Sequence, residues 1–339
     1  MAKNIEVLVT LSFADELISQ LKGISSRLRI RHQPARKVEE ISAESWTRAE
    51  VLYTDRVIPP EGLVPNLKWI QFHFAGIDFA AGNELLQKPG LQISTLSGTS
   101  ASQAAEYVVM MMLALGHKVP EMISLQNKHE WPRDRWERFS PVELRSSTVG
   151  LVGYGSIGRQ VARLLQPFGV KVLAAKRDVM HPEDLGYIPD GMGDPGGDFF
   201  TRLYPIQALR SMLKECDFVV VCTPLTTQTR DLIGPEELEA CKPGAFLINP
   251  SRGEVVDQEA LVKVLQDKHL GGAALDVFQQ EPLPPDHILW TLPNVIISPH
   301  IAGNSRLYNE RAVALFAENL RHYLAGEKLL NLYHPENEY

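Results

Sequence analysis

Between Thr148 and Ala175 the chain reads "TVGLVGYGSIGRQVARLLQPFGVKVLAA", and few folds accept such a stretch. An apolar run leads into glycines spaced Gly153-x-Gly155-x-x-Gly158, then into a helix-forming segment and a second apolar run. The first glycine permits a tight turn, the second lets a pyrophosphate approach the backbone, and the third lets helix and strand pack closely. A helix opening at Ser156 and Ile157 would turn its free amides and positive dipole end toward the phosphates. The glycine spacing alone is common in ordinary turns. With a strand before it, a helix after it and a strand beyond, it predicts a dinucleotide site.

The alternation continues downstream, where "DFVVVCTP", "AFLINP", "GGAALDVF" and "NVIISPH" are separated by helix-like segments such as "QEALVKVLQDKH". Continuous apolar strands between helices predict a parallel sheet covered on both faces. Upstream, from Ile5 to about Ser97, "IEVLVTL", "AEVLYT", "LKWIQFH" and "LQISTL" predict a second α/β unit with its own core. Ser100-x-x-Gln103 supplies a capping box for a helix through "ASQAAEYVVMMMLALG", which is apolar nearly all round and therefore expected to be buried between domains or subunits. The expected fold is thus α/β, with two Rossmann-like doubly wound domains. Residues 101–300 form the NAD(P)-binding one and residues 1–100 the substrate-binding one, completed by 301–339. Asp178 to Tyr204, rich in Gly, Pro and Asp, reads as a long loop and a surface insertion rather than a lid.

Bulk properties narrow the function. A formal charge of −7 over 339 residues offers no basic face for nucleic acid. Cys216, Cys222 and Cys241 lack C-x-x-C spacing and lie in or beside apolar segments, as buried thiols of a reducing compartment do. The opening "MAKNIEVLVTLSF" is broken by Asn4 and Glu6 and reads as a first strand rather than a leader. The longest apolar run, "YVVMMMLAL", is about half the ~20 residues of a membrane span. A soluble cytoplasmic protein, without nucleic-acid or membrane partners, is expected.

In a parallel sheet, ligands sit at the carboxyl ends of the strands. Those ends read Thr223-Pro224, Asn249-Pro250-Ser251-Arg252-Gly253, Asp276 and Ser298-Pro299-His300. Thr223, Pro224, Ser251, Asp276 and Gly303 are expected along the cofactor, and Arg252, Glu281 and His300 at its reactive end. An arginine can grip a carboxylate through two parallel charge-assisted bonds, and a histidine can exchange the proton that accompanies hydride transfer at a carbonyl. Glu281 would favour the imidazolium by attraction, keeping His300 a usable acid near neutral pH. No metal is needed for this chemistry. Asp276 has two readings: it holds a turn, or it accepts a hydrogen bond from the nicotinamide carboxamide.

These residues resemble the D-isomer-specific 2-hydroxyacid dehydrogenases, through "FAGID", "AAEYVVMMMLAL", "VGLVGYGSIGRQVARLLQPFGVKV", "VVVCTPLTTQTRDLIG", "GAFLINPSRGEVVDQEAL", "GGAALDVFQQEPL" and "ISPHIAG". The resemblance covers nearly the whole chain, and its catalytic Arg, Glu and His fall on Arg252, Glu281 and His300. It implies reduction of a small 2-oxo acid of the glyoxylate or hydroxypyruvate type, a cleft between a split substrate domain and a cofactor domain, and a homodimer formed through the helix after Ser100. It also implies that the amides of Ala75, Gly76 and Ile77 hold the substrate carboxylate, and that the chain is a short form without a regulatory domain. Two alternatives share the resemblance: a phosphoglycerate dehydrogenase-like activity, and a dinucleotide-sensing corepressor that binds partners without turnover. The related formate dehydrogenases carry glutamine at the position of Glu281, which argues against that branch.

Beyond Ala175 the strand meets Lys176 and Arg177. An acid there would accept bonds from the adenosine ribose hydroxyls of NAD and repel a phosphate, and cations reverse both effects. NADP is therefore the expected cofactor, with Arg177 ahead of Lys176 as the reader of its 2′-phosphate. NAD stays possible if the two are surface cations.

Overall fold

The computed structural model describes residues 4–184 and 186–339. The chain divides into two compact units, residues 1–100 with 305–339, and residues 101–304.

The first unit carries β1 (Ile5–Val9), β2 (Leu28–His32), β3 (Val51–Thr54), β4 (Trp69–Phe72) and β5 (Gln92–Ser94), paired in parallel in the order β2-β1-β3-β4-β5. Every residue of β3 and β4 is buried, as a strand covered on both faces requires. One face packs Val7, Val9, Tyr53 and Trp69 against Phe316 and Leu320 of the helix Tyr308–Ala325, and the other packs Leu8, Leu52, Ile70 and Phe72 against Trp46. Burying side chains of this size stabilises by about 1.5–3 kcal/mol each. A polar network fixes the register of that helix. Trp69 Nε1 donates to Ser94 Oγ at 2.8 Å, Ser94 Oγ to Gln71 Oε1 at 2.8 Å, and Asn319 Nδ2 to Gln71 Oε1 at 3.2 Å.

Four strands are expected in this unit and five form. The additional one, β2, reads "LRIRH" and lies at the sheet edge. Its Arg29 is exposed and its Arg31 pairs with Glu6 at 3.4 Å. Such charges blunt an edge against further pairing, and they also remove the apolar run by which a strand is recognised.

The second unit carries β6 (Thr148–Val152), β7 (Lys171–Lys176), β8 (Arg202–Pro205), β9 (Phe218–Val221), β10 (Phe246–Asn249), β11 (Gly272–Leu275) and β12 (Val295–Ile297). All pair in parallel, in the order β12-β11-β10-β9-β6-β7-β8. The order reverses between β6 and β9, so a crevice opens where their carboxyl ends diverge. The helix Ala101–Gly116 buries Ala105, Val108, Met112 and Leu115 against Val149, Leu151, Phe218 and Ile248 of this sheet.

Two expectations need correction here. The segment from Asp178 to Tyr204 is not loop throughout, because Arg202–Pro205 forms β8, a seventh strand paired with β7. Its tetrapeptide "RLYP" has an exposed Arg202 and is too short to stand out beside a Gly-Pro-Asp-rich stretch. Likewise β7 runs one residue beyond Ala175, to Lys176. Among the described residues no single helix is long and apolar enough to cross a membrane.

Candidate active site

The glycine-rich turn lies at the reversal point. Gly153 follows β6 with φ +102°, where L side chains are strained, and a Cβ there would stand 2.9 Å from the Cys222 carbonyl and the Thr223 nitrogen at the end of β9. A Cβ on Gly158 would come within 2.4 Å of the Gly153 oxygen, so helix and strand can pack only with glycine there. Gly155 differs: nothing lies within 4 Å of where its Cβ would be. Its lack of a side chain serves open space rather than protein packing, the space a pyrophosphate would occupy. The helix Ser156–Leu165 begins beside it, and the first-turn amides at Ser156, Ile157 and Gly158 have no intrahelical acceptor. Thr223 Oγ1 is buried with no hydrogen-bond partner, an orphan that a ligand hydroxyl or phosphate would satisfy. These residues fit a dinucleotide.

Three neighbouring strands end in the residues expected at the reactive end. After β10, the Asn249 carboxamide holds the next turn, accepting from Ser251 N at 3.0 Å and Ser251 Oγ at 2.8 Å and donating to the Arg252 carbonyl at 3.0 Å. Arg252 Nη1 donates to the Ser251 carbonyl at 2.8 Å. After β11, Asp276 is wholly enclosed and accepts from Ser298 Oγ at 2.5 Å, Ile301 N at 2.9 Å and Ala302 N at 2.7 Å. Tyr107, on the helix Ala101–Gly116, bonds Ser298 Oγ at 2.7 Å, and Gln103 Nε2 donates to the Gly303 carbonyl at 2.9 Å. The turn after β12 is therefore clamped from two sides.

That turn presents His300 in the left-handed region, at φ +55°, with its amide on the Asp276 carbonyl at 2.8 Å. A left-handed residue with a Cβ costs roughly 1–2 kcal/mol, and the Asp276 bonds hold it there. Of the two readings of Asp276, turn-holding is the one these contacts describe. His300 Nδ1 meets Glu281 Oε2 at 2.7 Å, and Glu281 Oε1 accepts from Phe278 N at 3.1 Å. With Nδ1 occupied, Nε2 is the nitrogen left for a substrate.

Sequence reasoning did not single out Gly253. A Cβ there would lie 1.9 Å from the Phe278 carbonyl carbon and 2.2 Å from its oxygen. Bare backbone contact therefore joins the Arg252 turn to the loop that carries Glu281.

At the far side of the sheet, Lys176 Nζ is held by the His181 carbonyl, while Arg177 is exposed. Asp178, next in sequence, is engaged locally: Oδ2 pairs with His181 Nδ1 at 2.7 Å and Oδ1 accepts from Met180 N at 3.0 Å.

In the first unit, Ala75, Gly76 and Ile77 follow β4. Among the described residues no protein group accepts from their three amides, and successive free amides form an anion-binding concavity. Beside them the Arg56 guanidinium lies over the Phe79 ring at 4.6 Å. His73, one residue past β4, is enclosed by Phe13, Tyr53 and Tyr308; its Nδ1 bonds Tyr53 Oη at 2.9 Å, and its carbonyl accepts from Tyr308 Oη at 2.7 Å. Burial pushes the imidazole down to about 4, against the opposing pull of Asp55 and Asn309. A histidine lowered on folding stabilises fully above its unfolded pKa, and that contribution is lost as pH falls from about 6.5 toward 4. Acidification from pH 7 to 5 should thus cost about 2 kcal/mol through His73 alone. Chemical denaturation of wild type and His73→Phe across that range measures it, the variant losing that part of the slope.

Residues 109–302 match the family model of the D-isomer specific 2-hydroxyacid dehydrogenase NAD binding domain. The chain is 36% identical over 265 residues to a glyoxylate reductase of Thermofilum pendens, covering 78% of this chain and 74% of that one. It is 32% identical over 278 residues to a glyoxylate reductase of Korarchaeum cryptofilum, covering 80% and 77%. The crystal structure of a D-isomer specific 2-hydroxyacid dehydrogenase from Xanthobacter autotrophicus Py2, in complex with NADPH and MES, superposes with a TM-score of 0.81 at 27% identity over all of both chains. The chain belongs to the D-isomer specific 2-hydroxyacid dehydrogenase family. It is accordingly an oxidoreductase, and its second unit is an NAD-binding domain of doubly wound form.

Proposed function

We propose that the chain reduces a small 2-oxo acid, of the glyoxylate or hydroxypyruvate type, with NADPH as the preferred reductant and NADH as a possible one. The observation that carries this reading is the His300–Glu281 pair at 2.7 Å, with His300 following β12, Asp276 following the adjacent β11 and Arg252 following β10 beyond it. With its diphosphate held at the glycine-rich turn, a reduced nicotinamide dinucleotide would supply the hydride for the carbonyl carbon at the other end of the crevice. Arg252 grips the carboxylate and carbonyl oxygen and draws negative charge onto that oxygen. His300 delivers the proton from Nε2, while Glu281 at Nδ1 fixes the orientation of the ring. In reverse, His300 takes the hydroxyl proton of a D-2-hydroxy acid. The amides of Ala75, Gly76 and Ile77 are proposed as carboxylate ligands.

The NADP preference rests on the basic pair Lys176–Arg177 at the end of β7, with Arg177 ahead because a guanidinium can both pair with a 2′-phosphate and stack on the adenosine. Two curated relatives carry the name glyoxylate reductase and support the substrate class. Met110, Ile123, Trp131 and Trp136 expose large apolar surfaces on and after the helix Ala101–Gly116, as a homodimer contact would. Free thiols at Cys216, Cys222 and Cys241 suit the cytoplasm.

Initial rates with NADPH and NADH against glyoxylate, hydroxypyruvate, pyruvate and a bulky 2-oxo acid test the reading. Arg177→Ala should raise the KM for NADPH about 10- to 100-fold, the scale of losing charge-assisted bonds to a phosphate, and leave that for NADH within about twofold. Equal effects on both cofactors would remove Arg177 from 2′-phosphate recognition, and no turnover with either would favour a corepressor-like binding role.

A further inference from the structure

The residues between β7 and β8 are fastened to the dinucleotide turn itself. Tyr154 stands between Gly153 and Gly155, and Arg159 directly follows Gly158; both are at most 2% exposed. An arginine so placed on the first turns of a surface helix would ordinarily reach solvent. Here the Arg159 guanidinium donates to the Asp194 carbonyl at 2.6 Å and to the Pro182 carbonyl, lies 3.4 Å from Asp184 Oδ2, and stacks over the Tyr154 ring at 4.8 Å. The Tyr154 hydroxyl donates to Asp194 Oδ2 at 2.6 Å. Asp194, itself 2% exposed, also accepts from Asp198 N at 2.8 Å and Phe199 N at 2.9 Å. One residue before it, Gly193 donates to Gln160 Oε1 at 2.7 Å and accepts from Arg163 Nη1 at 3.2 Å. Burial pushes the Asp194 carboxyl up, but Tyr154, the two amides and Arg159 outweigh it and hold the group below the ordinary carboxylate range.

A buried cation costs several kcal/mol unless it is paired and hydrogen-bonded, and all the carbonyl and carboxylate partners named for Arg159 come from this one segment. The segment cannot leave without stranding Arg159, and it cannot shift without pulling on Tyr154. We infer that residues 178–184 and 186–201 act as a clasp on the phosphate-binding turn, with Asp194 as a positioning residue that sets the geometry of Gly153–Gly158 for the dinucleotide. The inference rests on the cofactor reading of that turn. Asp194 touches no reacting atom; it acts through Tyr154 and Arg159. Because the turn faces the diphosphate, which NADPH and NADH share, the clasp supports both cofactors alike and is independent of Arg177.

The test uses the full chain and three variants, Asp194→Asn, Tyr154→Phe and the double substitution. NADPH and NADH dissociation constants come from calorimetry, and kcat is read at saturating NADPH. Loss of a charge-assisted bond in the turn's support should weaken binding of both cofactors about 3- to 30-fold, with kcat of Asp194→Asn within about twofold of wild type. The effects of the two single substitutions should be less than additive in the double variant, since both act on the Tyr154–Asp194 bond. A lowered melting temperature with unchanged dissociation constants would overturn the inference, leaving a purely structural anchor. A shift confined to NADPH would also overturn it, moving the effect to the 2′-phosphate. Tyr154→Phe, which removes only a hydroxyl, keeps the test open if Asp194→Asn fails to fold. Wild-type protein that binds neither dinucleotide would refute the cofactor reading as well, whereas tight wild-type binding with unaltered variants refutes the clasp alone.

Discussion

Replacing His300 with asparagine should lower kcat by about two to four orders of magnitude, the usual scale for losing a general acid, while the fold survives. Asparagine is the informative choice because His300 sits at φ +55°. Asparagine tolerates the left-handed region better than most residues, whereas alanine there would add backbone strain to the chemical loss. The His300 amide bond to the Asp276 carbonyl at 2.8 Å and the clamp on the following amides do not involve the side chain, so the turn should persist. Glu281→Gln should cost less, since the ring keeps a polar neighbour at Nδ1 and loses only the attraction of a full charge. Single-turnover reduction of glyoxylate, with melting temperature as a control on folding, separates these effects. Wild-type turnover from His300→Asn, with chemistry rate-limiting, would refute the assignment of His300 as proton donor.

The sequence speaks where a residue's role is set by its near neighbours. Gly153 and Gly158 announce themselves because the turn, the strand and the helix they serve lie within a few residues, and the apolar runs of β6, β9 and β10 are legible because both faces of those strands are covered. It is silent where the partner lies far along the chain. Nothing near Arg159 in the sequence marks it as buried; its partners Pro182, Asp184 and Asp194 lie 23 to 35 residues on. Asp276 keeps two readings until the bonds from Ser298, Ile301 and Ala302 are seen, the nearest of them 22 residues away. β2 and β8 escape for a different reason, since a charged edge strand carries too little apolar periodicity to register.

Gly253 is the sharpest case of such a distant partner, and Gly253→Ala should be the most damaging single-methyl change near the site. Its φ is not the reason, for the position is not left-handed. The reason is a carbon placed 1.9 Å from the Phe278 carbonyl carbon, about half of a van der Waals contact, with backbone rather than a flexible side chain in the way. Either the Arg252 turn or the Phe278–Glu281 loop must move by an ångström or more. Overpacking of this kind costs about 1–3 kcal/mol and sometimes more, which corresponds to a fall of several degrees in melting temperature for a domain of this size. The catalytic cost is larger. Phe278 N holds Glu281 Oε1, and Glu281 Oε2 holds His300, so the displacement passes to His300, the proposed proton donor, and to Arg252 in opposite directions. A misplacement of about 1 Å in a reacting constellation lowers turnover by about a hundredfold. The expected result is kcat/KM reduced about 100-fold or more, with NADPH affinity much less affected, because the glycine-rich turn belongs to β6 and is separated from β10 by β9. Comparable loss of NADPH binding and turnover would mean instead that the whole sheet edge had rearranged, and an active, stable Gly253→Ala protein would show that the contact with Phe278 does not set the spacing of the site.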